Sequence, residues 1–420
     1  MKRVALIIAT LVLLIVGSIS TVYIVRKSKI KEQYVSSTST SVLSFAVDDL
    51  LLDNISSVFP WNNKQPKTKE SNSWIKRLVF DAGISIPARI HLFTIPSQKA
   101  EFYGILKLKN YDDCFSFFAN FYPEAIDFLD KEKGIVSVVI NKNIKLLFDY
   151  DNIVYKITTS GNADFKDLRA LLLEKDKWVQ IGSFKGFEDA LSKKHIAYNE
   201  KNGALKLEAT IKKTQTEIDG KWLLNKDLKT NFKIRDIDTT QQILTFWNVL
   251  PAEEIPLLTT FINSYTTLKP GQLEDDYFDL QISSQYSLQK DTSIAYTYDD
   301  DFNMMEEIQI NEVNVPTITQ AWKYNKILEA SLPDALFYKF QKKQVGQYLI
   351  SSTAEILPTR AEPQQTLYPL YFFVNFEDWP ESWSISILKR LKEKKVKATL
   401  NATQEDIKTL TLKGKVTYSQ

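Results

Sequence analysis

The sequence predicts an α+β protein: an N-terminal transmembrane helix followed by repeated antiparallel strand-meander plus helix units, with helices packed on one face of large antiparallel sheets. Three observations predict it. An uncharged apolar run opens the 420-residue chain. Period-two alternation recurs through the body, and helix-spaced apolar segments separate the strand groups.

The first element is the anchor. Lys2 and Arg3 precede Val4–Val25, which holds no charge, and Arg26, Lys27, Lys29 and Lys31 follow. A helix rising about 1.5 Å per residue needs roughly 20 apolar residues to cross about 30 Å of hydrocarbon, so this run can span. A removable signal peptide would use Leu6–Val16 as its apolar stretch and Ser18-Ile19-Ser20 as its cleavage site. Thr21–Val25 carries the apolar run past that point to a basic stop, so residues 1–31 are read as an uncleaved signal-anchor with basic flanks. More basic side chains follow the span than precede it, which by the positive-inside rule leans towards a cytoplasmic body. A short basic tail before an apolar run reads instead as an export signal. On that ground the body is expected in the periplasm, on a single pass through the inner membrane.

Residues 32–73 are expected to be linker and amphipathic helix. Ser36–Ser41 is a tract of small hydroxyl residues with nothing to bury. Val42–Val58 places Leu43, Val47, Leu50, Leu51 and Ile55 at helical spacing, and Pro60–Ser73 is polar without an apolar period.

From residue 74 the chain is richly patterned, in a first strand–helix region over 74–200 and a second over 201–420 that is possibly continuous with it. Lys206–Lys212 and Asp279–Ser287 alternate apolar and polar residues, as strands with one solvated face do. Hairpin turns are expected at Asn141–Asn143, Tyr150–Asn152, Asp219-Gly220 and Lys290-Asp291. Asp219-Gly220 is the clearest of them, because glycine tolerates positive φ. Helices are expected over Asp112–Leu129, Asp164–Leu173, Thr239–Leu250, Thr317–Leu328 (just after Pro316) and Glu381–Lys394 (just after Pro380). Three strands precede the helices at 164, 239 and 317, over Gly134–Thr159, Ala204–Arg235 and Tyr277–Ile310. The helix starts are too unevenly spaced for a solenoid, and the pattern reads as internal repeats, diverged copies of one unit.

Composition excludes more than it assigns. With 53 Lys+Arg against 51 Asp+Glu the formal charge is +2, which offers no electrostatic footprint for nucleic acid. The single Cys114 makes no intrachain disulfide. With only His91 and His195 beside it, little remains for metal or triad chemistry. Phosphate-cradling glycine loops, the H-E-x-x-H pair and the G-x-S-x-G elbow do not occur. His91 lies in an apolar run that reads as a strand, and His195 near a helix end; both are read as structural. The acidic groups Glu274-Asp275-Asp276 and Asp299-Asp300-Asp301 with Glu306-Glu307 read as solvated turns, since consecutive acids on a strand point apart. Tyr368–Phe376, with Trp379 and Trp383 behind it, reads as a buried strand, and Lys389–Lys397 as the solvated face of a helix. No catalytic, cofactor-binding or metal-binding residue is assigned.

Asp81-Ala82-Gly83-Ile84-Ser85-Ile86-Pro87, Phe102–Leu108, Asn110-Tyr111-Asp112-Asp113 with Pro123, and the closing Leu412–Val416 carry a resemblance. Together with the N-terminal span, they resemble uncharacterised single-span envelope proteins of the Bacteroidetes type. The resemblance implies an envelope location and no site residue. The expectation is a membrane-anchored, non-enzymatic binding or scaffolding protein of the bacterial cell envelope, whose partner is an envelope protein, lipid or peptide. The alternative is a carboxylate-based hydrolase of envelope glycans or peptides, which would need two acids facing each other across a cleft.

Overall fold

The computed structural model describes residues 23–53, 77–78, 81–96, 101–158, 164–187, 192–228, 241–265, 277–298, 304–335, 337–355, 357, 368–383 and 385–419. It divides into two compact units, Met1–Lys212 and Lys213–Gln420.

The first unit is built on β1 (Tyr34–Ser36), β2 (Ser41–Ala46), α1 (Val47–Asp53), β3 (Ile84–Ser85), β4 (Arg89–Thr94), β5 (Glu101–Leu108) and α2 (Tyr111–Phe121). Then follow β6 (Ile126–Asp130), β7 (Ile135–Asn141), β8 (Ile144–Phe148), β9 (Asn152–Thr158), α3 (Lys166–Leu173), β10 (Trp178–Gln180), β11 (Ile196–Glu200) and β12 (Leu205–Ile211). Its sheet is antiparallel throughout, in the order β12-β11-β2-β4-β5-β9-β8-β7-β6. β3 shares the β4 side of β5, and β1 with β10 forms a separate two-stranded pair.

Both faces of this sheet are covered, not one. Leu146, Phe148 and Ile153 pack with Cys114, Phe117 and Phe118 of α2, whereas Leu147 and Val154 pack with Leu168 and Leu172 of α3. Successive side chains on a strand point to opposite faces, so apolar residues at both parities demand a cover on each side. Asn110 starts α2 by accepting the Asp113 N–H at 3.1 Å, and the Gly83 carbonyl accepts from Lys109 and Asn110 N–H. Gly83 has φ +59°, and a Cβ there would lie 2.4 Å from the Asn110 carbonyl oxygen. The two segments 81–87 and 102–113 therefore meet at one helix start. Replacing Asn110 with alanine is expected to cost about 1 kcal/mol, read from urea denaturation, because the orphan N–H loses its acceptor.

The segment expected to be linker and helix is part of this unit instead. Ser36, Ser39 and Ser41 are buried, and β2 pairs on both sides, with β4 and with β11. Their hydroxyls are not idle: Ser39 donates to the Ser36 carbonyl at 2.6 Å, and Thr40 and Ser41 meet Thr94. A small-hydroxyl tract can thus enter a core by satisfying itself. Residues 42–46 are strand and the described part of the expected helix is α1; residues 54–58 and the polar stretch 60–73 lie outside the described residues. So does most of the expected span, residues 4–22. Among the described residues no helix is long and apolar enough to cross a membrane.

The second unit comprises β13 (Gln215–Leu223), β14 (Gln242–Asn248), α4 (Pro256–Tyr265), β15 (Phe278–Tyr298), β16 (Met304–Lys323) and α5 (Lys326–Ser331). It closes with β17 (Gln341–Val345), β18 (Tyr348–Ser352), β19 (Leu370–Asn375), α6 (Ser386–Glu393), β20 (Lys397–Gln404) and β21 (Thr409–Thr417). The antiparallel order is β13-β21-β20-β19-β14-β15-β16-β18-β17. Leu258 and Ile262 of α4 and Leu328 of α5 pack on Phe278, Trp322 and Leu349, while Trp247, Tyr277 and Ile350 form a core on the opposite face.

Several expectations change here. Residues 242–248 are a strand, not part of a helix, and 317–323 continue β16, leaving only Lys326–Ser331 helical. Asp219 and Gly220 lie inside β13 opposite Lys413 and Leu412, and Lys290 and Asp291 lie inside β15. In place of three strands over 277–310 there are two long ones. The helix expected over Asp112–Leu129 ends at Phe121, and Ile126–Asp130 is strand β6; the helix expected from Glu381 is a 3₁₀ turn at Glu381–Trp383 and an α-helix from Ser386. The hairpins at 141–143 and 150–152, the helix near 164 and the strands at 206 and 370 stand as expected.

Candidate functional site

The feature of the second unit that core packing does not explain is the outer part of the β15–β16 hairpin. β14 pairs with β15 only as far as Ser283, and β18 pairs with β16 only from Thr319. From Tyr286↔Pro316 to Tyr298↔Met304 the two strands pair with each other alone. At about 3.3 Å per residue this ribbon is roughly 40 Å long.

Its two faces differ sharply. Tyr286, Leu288, Ile294 and Tyr296 of β15 share a face with Met304, Ile308 and Ile310 of β16, by alternation and register. All seven are between 48 and 70% exposed. Together they present on the order of 800 Å² of mostly apolar surface, more than the roughly 300–600 Å² of the largest patch on a typical monomer. Lys290, Thr292, Glu306, Glu312 and Asn314 interrupt that face by the same register. The other face carries Ser287, Gln289, Ser293, Gln309 and Asn311, with Ala295, the buried Val315 and the 44% exposed Val313 among them. That polar face is the one held by the rest of the unit. Gln289 Nε2 donates to the Lys339 and Thr353 carbonyls at 2.7 and 2.9 Å, and Lys339 Nζ donates to the Lys290 carbonyl at 2.8 Å. The apolar face is left open.

Charge adds a second property. Residues 284–316 contain one lysine, Lys290, against Asp291, Asp299, Asp300, Asp301, Glu306, Glu307 and Glu312, a formal −6 in a chain whose total is +2. Lys290 lies opposite Glu312 on the apolar face. By register Glu306 shares that face and Asp291 and Glu307 fall on the other, while Asp299–Asp301 lie outside the described residues, so the described apolar face carries a formal −1. The acidic segment as a whole favours cationic partners over anionic ones.

The residues weighed in the sequence find other settings. His91 is buried in β4, its Nδ1 2.8 Å from the Ser44 hydroxyl; burial, with the neighbouring Arg89 charge, pushes its pKa down to about 3. His195 lies at the entry to β11; residues 188–191 before it, where the expected helix end falls, lie outside the described residues. Its Nδ1 accepts the Ile211 N–H at 2.9 Å, which leaves Nε2 to donate to Asp53 at 2.8 Å. Burial pushes the Cys114 thiol up to about 12, the opposite of an activated nucleophile. Glu274–Asp276 and Asp299–Asp301 lie outside the described residues, and Glu306 is on the ribbon. Among the described residues no group of three or more His, Cys, Asp and Glu side chains is placed to hold a metal. β19 runs between β14 and β20 with Leu370 and Val374 buried, and Trp379 and Trp383 stack nearby with Phe376 and Tyr338.

Sequence reasoning missed the ribbon face, although its signal was present. The run Tyr286, Leu288, Ile294, Tyr296 keeps one parity across the expected turn at 290–291, and Met304, Ile308 and Ile310 keep one parity on the return.

The fold and this surface define a sheet-rich protein of two antiparallel units, the second bearing a one-sided ribbon. No family model and no curated protein matches the chain. Among solved structures, crystal form I of TP0453 aligns at 14% identity and a TM-score of 0.29, over 47% of this chain and 79% of that one. Crystal form IV of TP0453 aligns at 13% identity and a TM-score of 0.28, over 46% and 83%. Likeness this slight defines neither fold family nor function.

Proposed function

We propose that this protein is a membrane-anchored, non-enzymatic binding or scaffolding protein of the cell envelope that takes a protein partner on the apolar face of the β15–β16 ribbon. The observation that carries the reading is the one-sidedness of the ribbon: the unit holds its polar face and leaves the apolar one open. A two-stranded ribbon is marginally stable alone, and about 800 Å² is what each partner contributes to a standard interface. The net acidity of residues 284–316, a formal −6 in sequence of which −1 lies on the described apolar face, biases the choice of occupant. It opposes an anionic bilayer and opposes a second copy of the same ribbon laid face to face. It favours a protein surface with an apolar stripe rimmed by Lys and Arg.

The hydrolase alternative gains nothing from the acids. The described carboxyls that leave their usual range, Asp49, Glu377, Glu381, Glu405 and Asp406, all go down, held there by neighbouring lysines, hydroxyls or backbone N–H groups. A general acid needs one pushed up.

The test uses the full chain in neutral detergent and a labelled peptide of alternating leucine and lysine, read by fluorescence anisotropy. Binding is expected to weaken with salt and to fall at least tenfold in an Ile294→Ser/Ile308→Ser variant, which keeps every charge and removes two apolar anchors. Equal binding by that variant would reduce the contact to non-specific attraction and overturn the reading. So would capture of the ribbon by anionic vesicles, or self-association in sedimentation that the variant abolishes.

A further inference from the structure

The helical turns over 23–28 continue into a 3₁₀ turn at Lys29–Glu32, and this segment lies against the first unit. On one side its cations are neutralised. Arg26 forks onto Asp48 with two bonds of 2.8 Å, and Lys27 meets Asp49 at 3.2 Å. On the other side a cavity of about 320 Å³ opens between the segment, the loop before β4 and the end of β5.

Val25, Arg26, Lys29, Glu32 and Gln33 line it from the segment. They recur at the spacing of a single helix face. Ile86, Pro87, Ile105 and Leu106 form an apolar wall, and Lys107 and Tyr34 stand at its edge, the Lys107 ammonium 5.5 Å from the Tyr34 ring centroid. Two cations here are unspent: neither Lys29 nor Lys107 has an ion-pair partner among the described residues. Arg26 is already held by Asp48, so these two lysines against the single carboxylate Glu32 leave the cavity positive and favour an anion, and the apolar wall asks for part of it to be hydrocarbon. The volume is at the lower end for ligand pockets: room for a headgroup and the first carbons of a chain, not a whole lipid.

We propose that this cavity binds the phosphate headgroup of an anionic phospholipid, with phosphate oxygens on Lys29 and Lys107 and the start of an acyl chain on Ile86, Pro87 and Ile105. The placement rests on the reading of Val4–Val25 as a membrane span. The span ends where the cavity begins, so Lys29 stands at headgroup level, where cations and anionic lipids meet. The lipid would fix the pose of the first unit against the bilayer.

The experiment takes the full chain in neutral detergent and adds dihexanoylphosphatidylglycerol, dihexanoylphosphatidylcholine or inorganic phosphate. The readouts are melting temperature and tryptophan fluorescence, Trp178 being 5.8 Å from the Tyr34 ring. Dihexanoylphosphatidylglycerol should bind saturably and at least tenfold more tightly than the choline lipid or phosphate alone. Lys29→Glu and Lys107→Glu should each weaken it at least tenfold. Equal affinity for the choline lipid, equal affinity for bare phosphate, no binding, or wild-type affinity in both variants would each overturn the proposal. The Ile294→Ser/Ile308→Ser ribbon variant should respond to the lipid as wild type does, so failure at one surface is distinguishable from failure at the other.

Discussion

Replacing Glu101 with alanine should destabilise the first unit by about 3–5 kcal/mol, the cost of leaving buried charge without its partner. Glu101, Lys156 and Lys145 are 4, 2 and 2% exposed, beneath α3 and beside the fully buried Tyr103. Both Glu101 oxygens accept from Lys156 Nζ, at 3.3 and 3.4 Å, and Oε2 accepts the Tyr103 hydroxyl at 2.6 Å. Burial and the Glu101 carboxylate push the Tyr103 phenol well above its usual range, so it stays protonated as the donor. Lys145 and Lys156 are directly opposed across β8 and β9, and burial, then the Lys156 charge, lowers the Lys145 pKa. Asp164 and Glu101 offset this pair of like charges, Asp164 the stronger at Lys145 and Glu101 the partner of Lys156.

Near-ultraviolet circular dichroism during thermal unfolding should show the first unit of Glu101→Ala melting on the order of 10 °C lower. The companion variant separates charge from shape. Glu101→Leu with Lys156→Met removes both members of the ion pair and should recover most of the loss, because well-packed apolar residues often replace a buried ion pair at little cost. A loss below about 1 kcal/mol in Glu101→Ala would mean that water reaches the group and that the network is a surface one.

This network also shows where sequence reading stops. Charged residues alternating with apolar ones, as in Lys145-Leu146 or Tyr155-Lys156, ordinarily mark the solvated face of a sheet. Here α2 covers one face and α3 the other, so the alternate charges are buried with a partner that is distant in sequence. Elements with their own local signals were legible. Asn110 before α2, the Gly161-Asn162 break before α3 and Pro380 before the 381–393 segment mark helix starts that survive folding. The strand at 242–248 was not legible, because Ile243, Leu244, Phe246 and Trp247 form an apolar run covered on both sides. Such a run fits helical spacing as well as it fits a buried strand. Pro316 suggested a helix start, but it sits within β16 beside a register irregularity at Ile282/Tyr286, in the ribbon section where one strand edge has no neighbour. Asp219-Gly220 suggested a turn, yet Gly220 pairs with Leu412, and its local preference yields to a nine-residue ladder against β21.

The candidate surfaces were legible only in fragments. The ribbon's apolar face needs the register of β15 on β16, which pairs residues more than thirty positions apart near its base. The cavity needs Lys29 and Gln33 brought to Lys107. The basic residues after Val25 were read as a membrane stop alone. In the fold Arg26 and Lys27 pair with the acids of α1, whereas Lys29 lines the cavity.

Acidification should weaken the first unit through His91 in a window that the direction of its shift defines. In the unfolded chain a histidine takes up its proton near pH 6.5, whereas in the fold His91 does so only at about 3. Above pH 6.5 both states hold neutral imidazole, and His91 adds no pH dependence. Between about 6.5 and 3 the unfolded state binds a proton that the native state refuses. Stability therefore falls as pH falls, by about 1.4 kcal/mol per unit, roughly 3 kcal/mol by pH 4.5. The cause is structural. The imidazole is 3% exposed, its Nε2 is buried without a partner, and a charge on it would stand near Arg89, itself 2% exposed. His91→Asn can keep a polar atom near Ser44 while removing the titration. That variant should be about 1–2 kcal/mol less stable than wild type at pH 7.5, because it leaves a small void. Its further loss between pH 7.5 and 4.5 should be smaller than that of wild type by roughly 3 kcal/mol. Urea denaturation of both proteins at the two pH values gives the comparison. Parallel losses would show that His91 protonates in the fold as readily as in the unfolded chain, and that the acid sensitivity of this unit arises elsewhere.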